Sequence, residues 1–229
     1  MSFTPLGESI WVKHFDFKLL GAPLGKTTTV IRLGRDLLIH SAAPMTPPDV
    51  DAIKALGNPR WLMEGSRMHD TFASSLRGAF PEATYLLPPR FPLAAEIMAP
   101  VEKLRRKSLP GVWAGEIEVE RIGGVPAVEE HAVWHRVSKT LILSDFVFNL
   151  GLPPGGRVPF FLRWVSGIKA FPATSRLVKL AVKDRGQLKK SVERILRWDI
   201  EQVVVGHGEI MTVNAKGLLK QTLNWALED

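Results

Sequence analysis

The stretch Lys139-Thr-Leu-Ile-Leu-Ser-Asp-Phe-Val-Phe-Asn149 constrains this chain more than any other. Residues 140–143 are β-branched or aliphatic at every position, without alternation. That pattern predicts a short strand buried on both faces, as in a sheet covered on each side. The run then meets Ser144 and Asp145. A carboxylate at the carboxyl end of a buried strand sits where open α/β sheets place their ligands. Phe146, Val147 and Phe148 follow, so Asp145 is the only acid in an apolar neighbourhood. Such an acid either caps the following turn or binds a cation, and the residues alone leave both open.

The chain has 229 residues, which suits one large domain spanning 1–229. It has no cysteine, which excludes disulfides, thiolate zinc sites and cysteine nucleophiles. Any metal must therefore be held by His, Asp or Glu. The N-terminal residues lack a secretory pattern, and no apolar run approaches the roughly 20 residues of a membrane span, so a cytoplasmic protein without a membrane partner is expected. The formal charge is +7, with denser basic patches at 103–107 and 183–197. Aromatic residues do not interleave with these cations, so solvated helix faces are expected rather than a nucleic-acid platform. A small-molecule ligand is the expected partner, with self-association left open.

Along the chain, 10–20 reads as a strand with one wet face, and 27–33 and 37–40 as a hairpin around Gly34. A helix over 49–56 is capped by Thr46. A strand at 60–63, a helix over 69–80 and a strand at 83–87 follow, then a basic helix or turn over 99–107. The second half gives strands at 116–120, 127–135 and 140–143, a Gly/Pro-rich loop over 149–159 and an aromatic helix over 160–171. It closes with an amphipathic helix over 184–198, a strand at 203–205 and a helix over 218–227. Two strand-rich halves, each carrying helices and meeting near 88–115, predict a four-layer αββα sandwich of the α/β class. Gly21-Ala-Pro-Leu-Gly-Lys-Thr27 imitates a phosphate-binding loop but is one residue short. The β-branched run after it predicts a strand, where a phosphate loop must open a helix.

Four of the six histidines, His40, His69, His135 and His207, fall at or just beyond the ends of predicted strands. His207 lies between two glycines directly after Val203-Val-Val205. His69, Asp145 and His207 converging on one sheet edge could hold a divalent cation with open positions.

These residues carry a resemblance to the metallo-β-lactamase fold superfamily, and within it to an uncharacterised branch known only as a domain of unknown function. Its pieces are Thr28-Thr-Val-Ile-Arg-Leu33, Leu38-Ile-His-Ser41, Phe80-Pro-Glu-Ala83, Ser138-Lys-Thr-Leu-Ile-Leu-Ser-Asp145 and Val204-Val-Gly-His-Gly208, in the family's order over nearly the whole chain. The resemblance implies an αββα sandwich with a metal site between the sheet edges. The family's His-x-His-x-Asp-His cluster falls on Glu64-Gly-Ser-Arg-Met-His69, where only His69 matches. The bridging Asp falls on Asp145 and the final His on His207. The middle His would fall on His131 or His135, without its usual setting.

The set that holds one metal is thus broken at Glu64 and Ser66. Three of the four ligands of the second metal remain, His69, Asp145 and His207. Met68 stands where the fourth would be, and Asp70 or Glu64 is a candidate to replace it.

Two readings follow from the resemblance. In the first, a single Zn, Mn or Fe ion on those three ligands serves a hydrolase of a small ester, lactone or phosphoester. Asp145 then belongs to the catalytic group, and His131 or His135 acts as an outer-shell or proton-transfer residue. In the second, the protein binds no metal, is catalytically inactive, and uses the cleft as a binding or interaction surface.

Overall fold

Two sheets meet face to face because their strands are apolar on both sides, and alternation along each strand assigns its residues to different cores. The structure is a computed structural model that describes residues 3–19, 22–92, 97, 100–104, 109–150 and 172–228. The first half supplies strands Thr4–Gly7 (β1), Ile10–Phe15 (β2), Lys18–Leu19 (β3), Ala22–Pro23 (β4), Lys26–Leu33 (β5) and Asp36–His40 (β6). Asn58–Met63 (β7), Thr84–Leu87 (β8) and Val101–Lys103 (β9) follow. Among the described residues they form a sheet in the order β1-β2-β5-β6-β7-β8-β9, with β3 and β4 as a separate pair. Pairing is antiparallel from β1 to β6 and parallel from β6 to β9. The second sheet has the order β10-β11-β12-β13, from Ile117–Arg121 (β10), His131–His135 (β11), Thr140–Leu143 (β12) and Gln202–Val205 (β13). Its last pair, β12 and β13, is parallel.

Ile31 of β5, Leu38 of β6, Ile142 of β12 and Val204 of β13 are buried together between the sheets. Their neighbours point outward. Val30, Leu37 and Ile39 pack with Ile53 of helix α1 (Pro47–Leu56) and Leu76 of helix α2 (Ala73–Ala79). Leu141, Leu143, Val203 and Val205 pack with residues of three further helices: α3 (Arg176–Leu180), α4 (Arg185–Arg197) and α5 (Ala215–Leu223). Helix, sheet, sheet and helix are the expected four layers, and the unbroken apolar run 140–143 is explained by burial on both of its faces.

Helix signals read from the sequence hold at α1 and α4. Asp49 accepts from the Thr46 backbone N–H at 2.9 Å and its hydroxyl at 2.8 Å, and pairs with Lys13 of β2. Asp184 caps α4 by accepting from the Gln187 N–H at 2.9 Å, and Leu188, Val192 and Ile195 face the core.

Three expectations are corrected. The helix expected from His69 begins at Ala73, so His69 lies in a loop. Val101–Lys103 is an edge strand where a basic helix or turn was expected, because its backbone completes the ladder of β8. The strand expected over 127–135 begins at His131, because the chain before it turns twice to meet α4. At that turn Gly124 has φ +81°, and a Cβ there would lie 2.0 Å from the Asp184 carbonyl oxygen. The phosphate-loop imitation leads into β5, a strand, as expected. The aromatic helix expected over 160–171 and most of the loop expected before it lie outside the described residues. Among the described residues no helix is long and apolar enough to cross a membrane.

Candidate metal centre

Parallel pairing places the site. β12 and β13 run in register from Thr140↔Gln202 to Leu143↔Val205, so Ser144-Asp145 and Gly206-His207 leave the same sheet edge side by side. On the facing sheet β6 and β7 are parallel, with His40 beside Met63, and the chain after Met63 carries the 64–69 loop over that edge. The loop is held to the second sheet: Arg67 N–H donates to the Val128 carbonyl at 3.0 Å, and His131 N–H donates to the Gly65 carbonyl at 2.7 Å.

This construction brings His69, Asp145 and His207 together. All three are buried, and one ligating atom from each lies within 4.8 Å of the others. His69 Nε2 is 3.2 Å and His207 Nε2 3.4 Å from the same Asp145 oxygen, Oδ1. Among the described residues His69 Nε2 and Asp145 Oδ2 have no partner that meets hydrogen-bond geometry. Buried nitrogens and carboxylate oxygens left in this way are costly unless something else satisfies them. Two imidazoles and a carboxylate are a suitable donor set for Zn, Mn or Fe, so the residues fit a single divalent cation.

Each residue of the triad is held from behind. The Ser41 hydroxyl lies 3.0 Å from His69 Nδ1, and Ser41 holds φ at +70°, uncommon for a side-chain-bearing residue. His207 Nδ1 donates to the Gly25 carbonyl at 2.7 Å, which leaves Nε2 for the centre. Its ring stacks on Phe148, with centroids 5.4 Å apart. Glu130 accepts the backbone N–H of Ser144 at 2.9 Å and of Asp145 at 2.8 Å, fixing the strand end.

The glycines beside His207 are required by space. A Cβ on Gly206 would sit 2.5 Å from the Ser144 oxygen and 2.8 Å from the His69 ring, and one on Gly208 would sit 2.2 Å from the Asn149 oxygen.

Burial lowers the pKa of His69 to about 4, against the opposing pull of Asp145, so its ring is neutral near pH 7. Burial pushes Asp145 up, but His69 and His207 outweigh it and hold the carboxyl well below the usual range. The centre therefore presents a carboxylate and a neutral imidazole, the forms that bind metals. Burial raises Glu64 to about 7, and burial with the nearby Asp145 raises Glu130 to about 8.

The other candidates are placed elsewhere. Glu64 accepts from the Ala42 N–H at 2.9 Å and the Tyr85 hydroxyl at 2.7 Å, and its free oxygen is 3.9 Å from His69 Nδ1, on the far side of that ring. Ser66 accepts from the Met68 N–H, while Met68 is 59 % exposed. Asp70 is half-buried and is not in the ligating group.

His131 and His135 are not brought to the centre either. Antiparallel pairing sets His135 against Thr140, the opposite end of β12 from Asp145, and its Nδ1 lies 2.7 Å from the Ser138 hydroxyl. His131 Nδ1 lies 3.2 Å from the Glu129 carbonyl, and its ring lines a different cavity with Arg121 and Ser191. Among the described residues no hydrogen bond or ion pair joins either ring to the triad. The polar groups on the Nδ1 side of His69 and His207 are the Ser41 hydroxyl and the Gly25 carbonyl.

A cavity of about 330 Å³ opens on the triad. Its walls are mostly apolar, including Phe17, Leu24, Phe148 and Val178. Lys26 also lines it and is 2 % exposed. Burial lowers the pKa of Lys26, against the pull of Glu64, Asp145 and Asp70. Lys26 was missed in the sequence because it sits inside the false phosphate loop. Ser41 was read only as the last residue of the Leu38–Ser41 piece, and Glu130 only as part of an expected strand.

No protein-family model matches the chain. No curated protein matches it. Solved structures do. A metallo-β-lactamase from Pontibacter korlensis is 14 % identical over 100 % of this chain and 99 % of that one, with a TM-score of 0.66. One from Hirschia baltica is 12 % identical over 98 % of this chain and 97 % of that one, at 0.65. FIM-1 from Pseudomonas aeruginosa, in its mono-zinc form, is 13 % identical over 100 % of this chain and 96 % of that one, at 0.66.

Proposed function

Because the chain has the metallo-β-lactamase fold, we propose that it is a single-metal hydrolase of a small ester, lactone or phosphoester. His69 Nε2, Asp145 and His207 Nε2 would hold one Zn, Mn or Fe ion. The observation that carries this reading is the pair of imidazole nitrogens facing one Asp145 oxygen at 3.2 and 3.4 Å in a buried site. The bound ion would supply Lewis acidity at the floor of the cavity. The chain's own contribution is orientation and exclusion of water. Ser41 and the Gly25 carbonyl fix the two rings, and Phe17, Leu24 and Phe148 keep the surroundings apolar. FIM-1, a similar structure, was solved in a mono-zinc form, which is in keeping with a single ion in this fold.

A second reading is a catalytically inactive, metal-free binding protein. It is favoured by Glu64 and Ser66, whose side chains are engaged in bonds of their own, and by Met68, which points to solvent.

Elemental analysis of protein purified without chelator or affinity tag separates the two. The first reading expects about one equivalent of metal, lost in His69→Ala and His207→Ala variants that keep wild-type circular dichroism. Protein that stays metal-free after soaking in excess zinc supports the second.

A further inference from the structure

Among the described residues Lys26 is the one ammonium in a cavity lined mostly by apolar groups, with the triad, Thr71 and Ser175. Two hydrogen bonds flank it and tie β5 to the His207 loop. Gly25 accepts from His207 Nδ1 at 2.7 Å, and Thr27 N–H donates to the Gly206 carbonyl at 3.0 Å. The backbone carrying Lys26 is therefore fixed relative to the centre. Its Nζ lies 5.6 Å from the Phe72 ring centroid and, among the described residues, makes no hydrogen bond or ion pair. Glu64, Asp145 and Asp70 are near enough to stabilise the charge, yet none is within 4.0 Å of it. Glu64 is engaged by Ala42 and Tyr85, and Asp145 faces the two histidines. An ammonium on the wall of a largely apolar cavity, with no carboxylate in ion-pair range among the described residues, is costly to keep charged. It becomes favourable when an anion enters from the cavity.

The apolar walls continue to the surface. Leu19, Met68 and Leu177 line the same cavity and are 46 %, 59 % and 53 % exposed. A ligand that matches both features has one anionic head and an apolar body.

We propose that Lys26 is the anion-recognising residue of this cavity, and that its ligand is a small amphipathic anion, with a carboxylate or phosphate at Lys26 and an apolar chain or ring toward Leu19 and Leu177. This rests on the hydrolase reading only for the cleavage of such a ligand; binding requires the cavity and Lys26 alone. Both head groups suit a lysine, which acts as a point charge without the planar geometry of arginine.

Calorimetric titration tests it, with octanoate, octyl phosphate and octan-1-ol as probes. Each is added to protein treated with EDTA and to protein given zinc. In EDTA, at least one anion is expected to bind roughly ten-fold or more tightly than the alcohol, the margin of a charged hydrogen bond. The stronger of the two anions identifies the head group. Lys26→Met should remove the preference and leave alcohol binding within about two-fold, whereas Lys26→Arg should keep it.

Equal affinities of wild-type protein for the alcohol and both anions overturn the proposal, and that measurement needs no variant. A preference that appears only with zinc also overturns it, because the ion is then the recognition element. A preference in EDTA from protein that never takes up metal leaves Lys26 standing while the hydrolase reading fails.

Discussion

Ser41 shows how much of this centre depends on single residues outside the ligand set. Its hydroxyl is 3.0 Å from His69 Nδ1, and its backbone is held at positive φ by bonds to Met63 and Thr28. Groups that orient ligating histidines commonly account for roughly 10–100-fold in metal affinity. Ser41→Ala is therefore expected to weaken zinc binding by at least about ten-fold with little loss of stability, read by competition with a chromophoric chelator. Unchanged affinity would show that His69 is positioned by packing alone. Gly206 is a residue of the opposite kind, conspicuous in the sequence beside His207. Its role is to let the Ser144 carbonyl and the His69 ring approach the chain. Gly206→Ala should destabilise the fold by about 1–3 kcal/mol through overpacking and displace His69. A variant with wild-type melting temperature and full metal content would contradict that account.

At the scale of the element, α1 shows a start signal that sequence reading recovers with its chemistry. Thr46 and Asp49 form the cap, and Lys13 reaches across from β2 to complete it. Asp49→Ala should cost about 1 kcal/mol, the usual worth of a cap. In a chain of this size that is a drop of roughly 2–4 °C in melting temperature.

The cap also has a pH signature. Burial pushes the Asp49 carboxyl up, but Lys13 and Thr46 outweigh it, so its folded pKa lies below the ordinary 3.8. A depressed folded pKa means that the unfolded state takes up protons first as the pH falls. The Asp49 contribution is therefore fully present above about pH 4 and is lost as the pH falls through the folded value. Wild-type protein and Asp49→Ala should differ in stability at pH 6 and converge in strong acid, measured by urea unfolding at each pH. β9 shows where such local reading ends: its three residues carry no strand signal and become a strand only because β8 offers a free edge.

The whole molecule is held by its layers and not by the centre. Between the sheets, Ile142 is 1 % exposed among Val133, Val204 and Leu38. Ile142→Ala should cost about 2–5 kcal/mol, as large-to-small changes in a filled core do. His69→Ala and His207→Ala each take a partner from the buried Asp145 carboxylate and should cost about 1–3 kcal/mol in metal-free buffer, toward the lower end of the core change. Denaturant unfolding of the three variants side by side checks both statements. A triad variant as unstable as Ile142→Ala would mean that the centre is a structural support.

Sequence by itself determined the layers and named the triad. Every-position burial at 140–143 required covers on both faces of a strand, and a period of two assigned its residues to two cores. Asp145 and His207 were legible because each directly follows a strand, and His69 because it follows β7 by a short loop; strand ends are where sheets of this kind gather their polar groups. Tertiary structure alone decided what surrounds them. Parallel register of β12 with β13 and of β6 with β7 set which strand ends meet, and antiparallel pairing carried His135 to the wrong end of its strand. Lys26 entered the cavity because two hydrogen bonds bring β5 to a loop some 180 residues away in sequence. Local pattern carries propensity and face, whereas the distance between side chains on different strands depends on pairing, which no single stretch encodes.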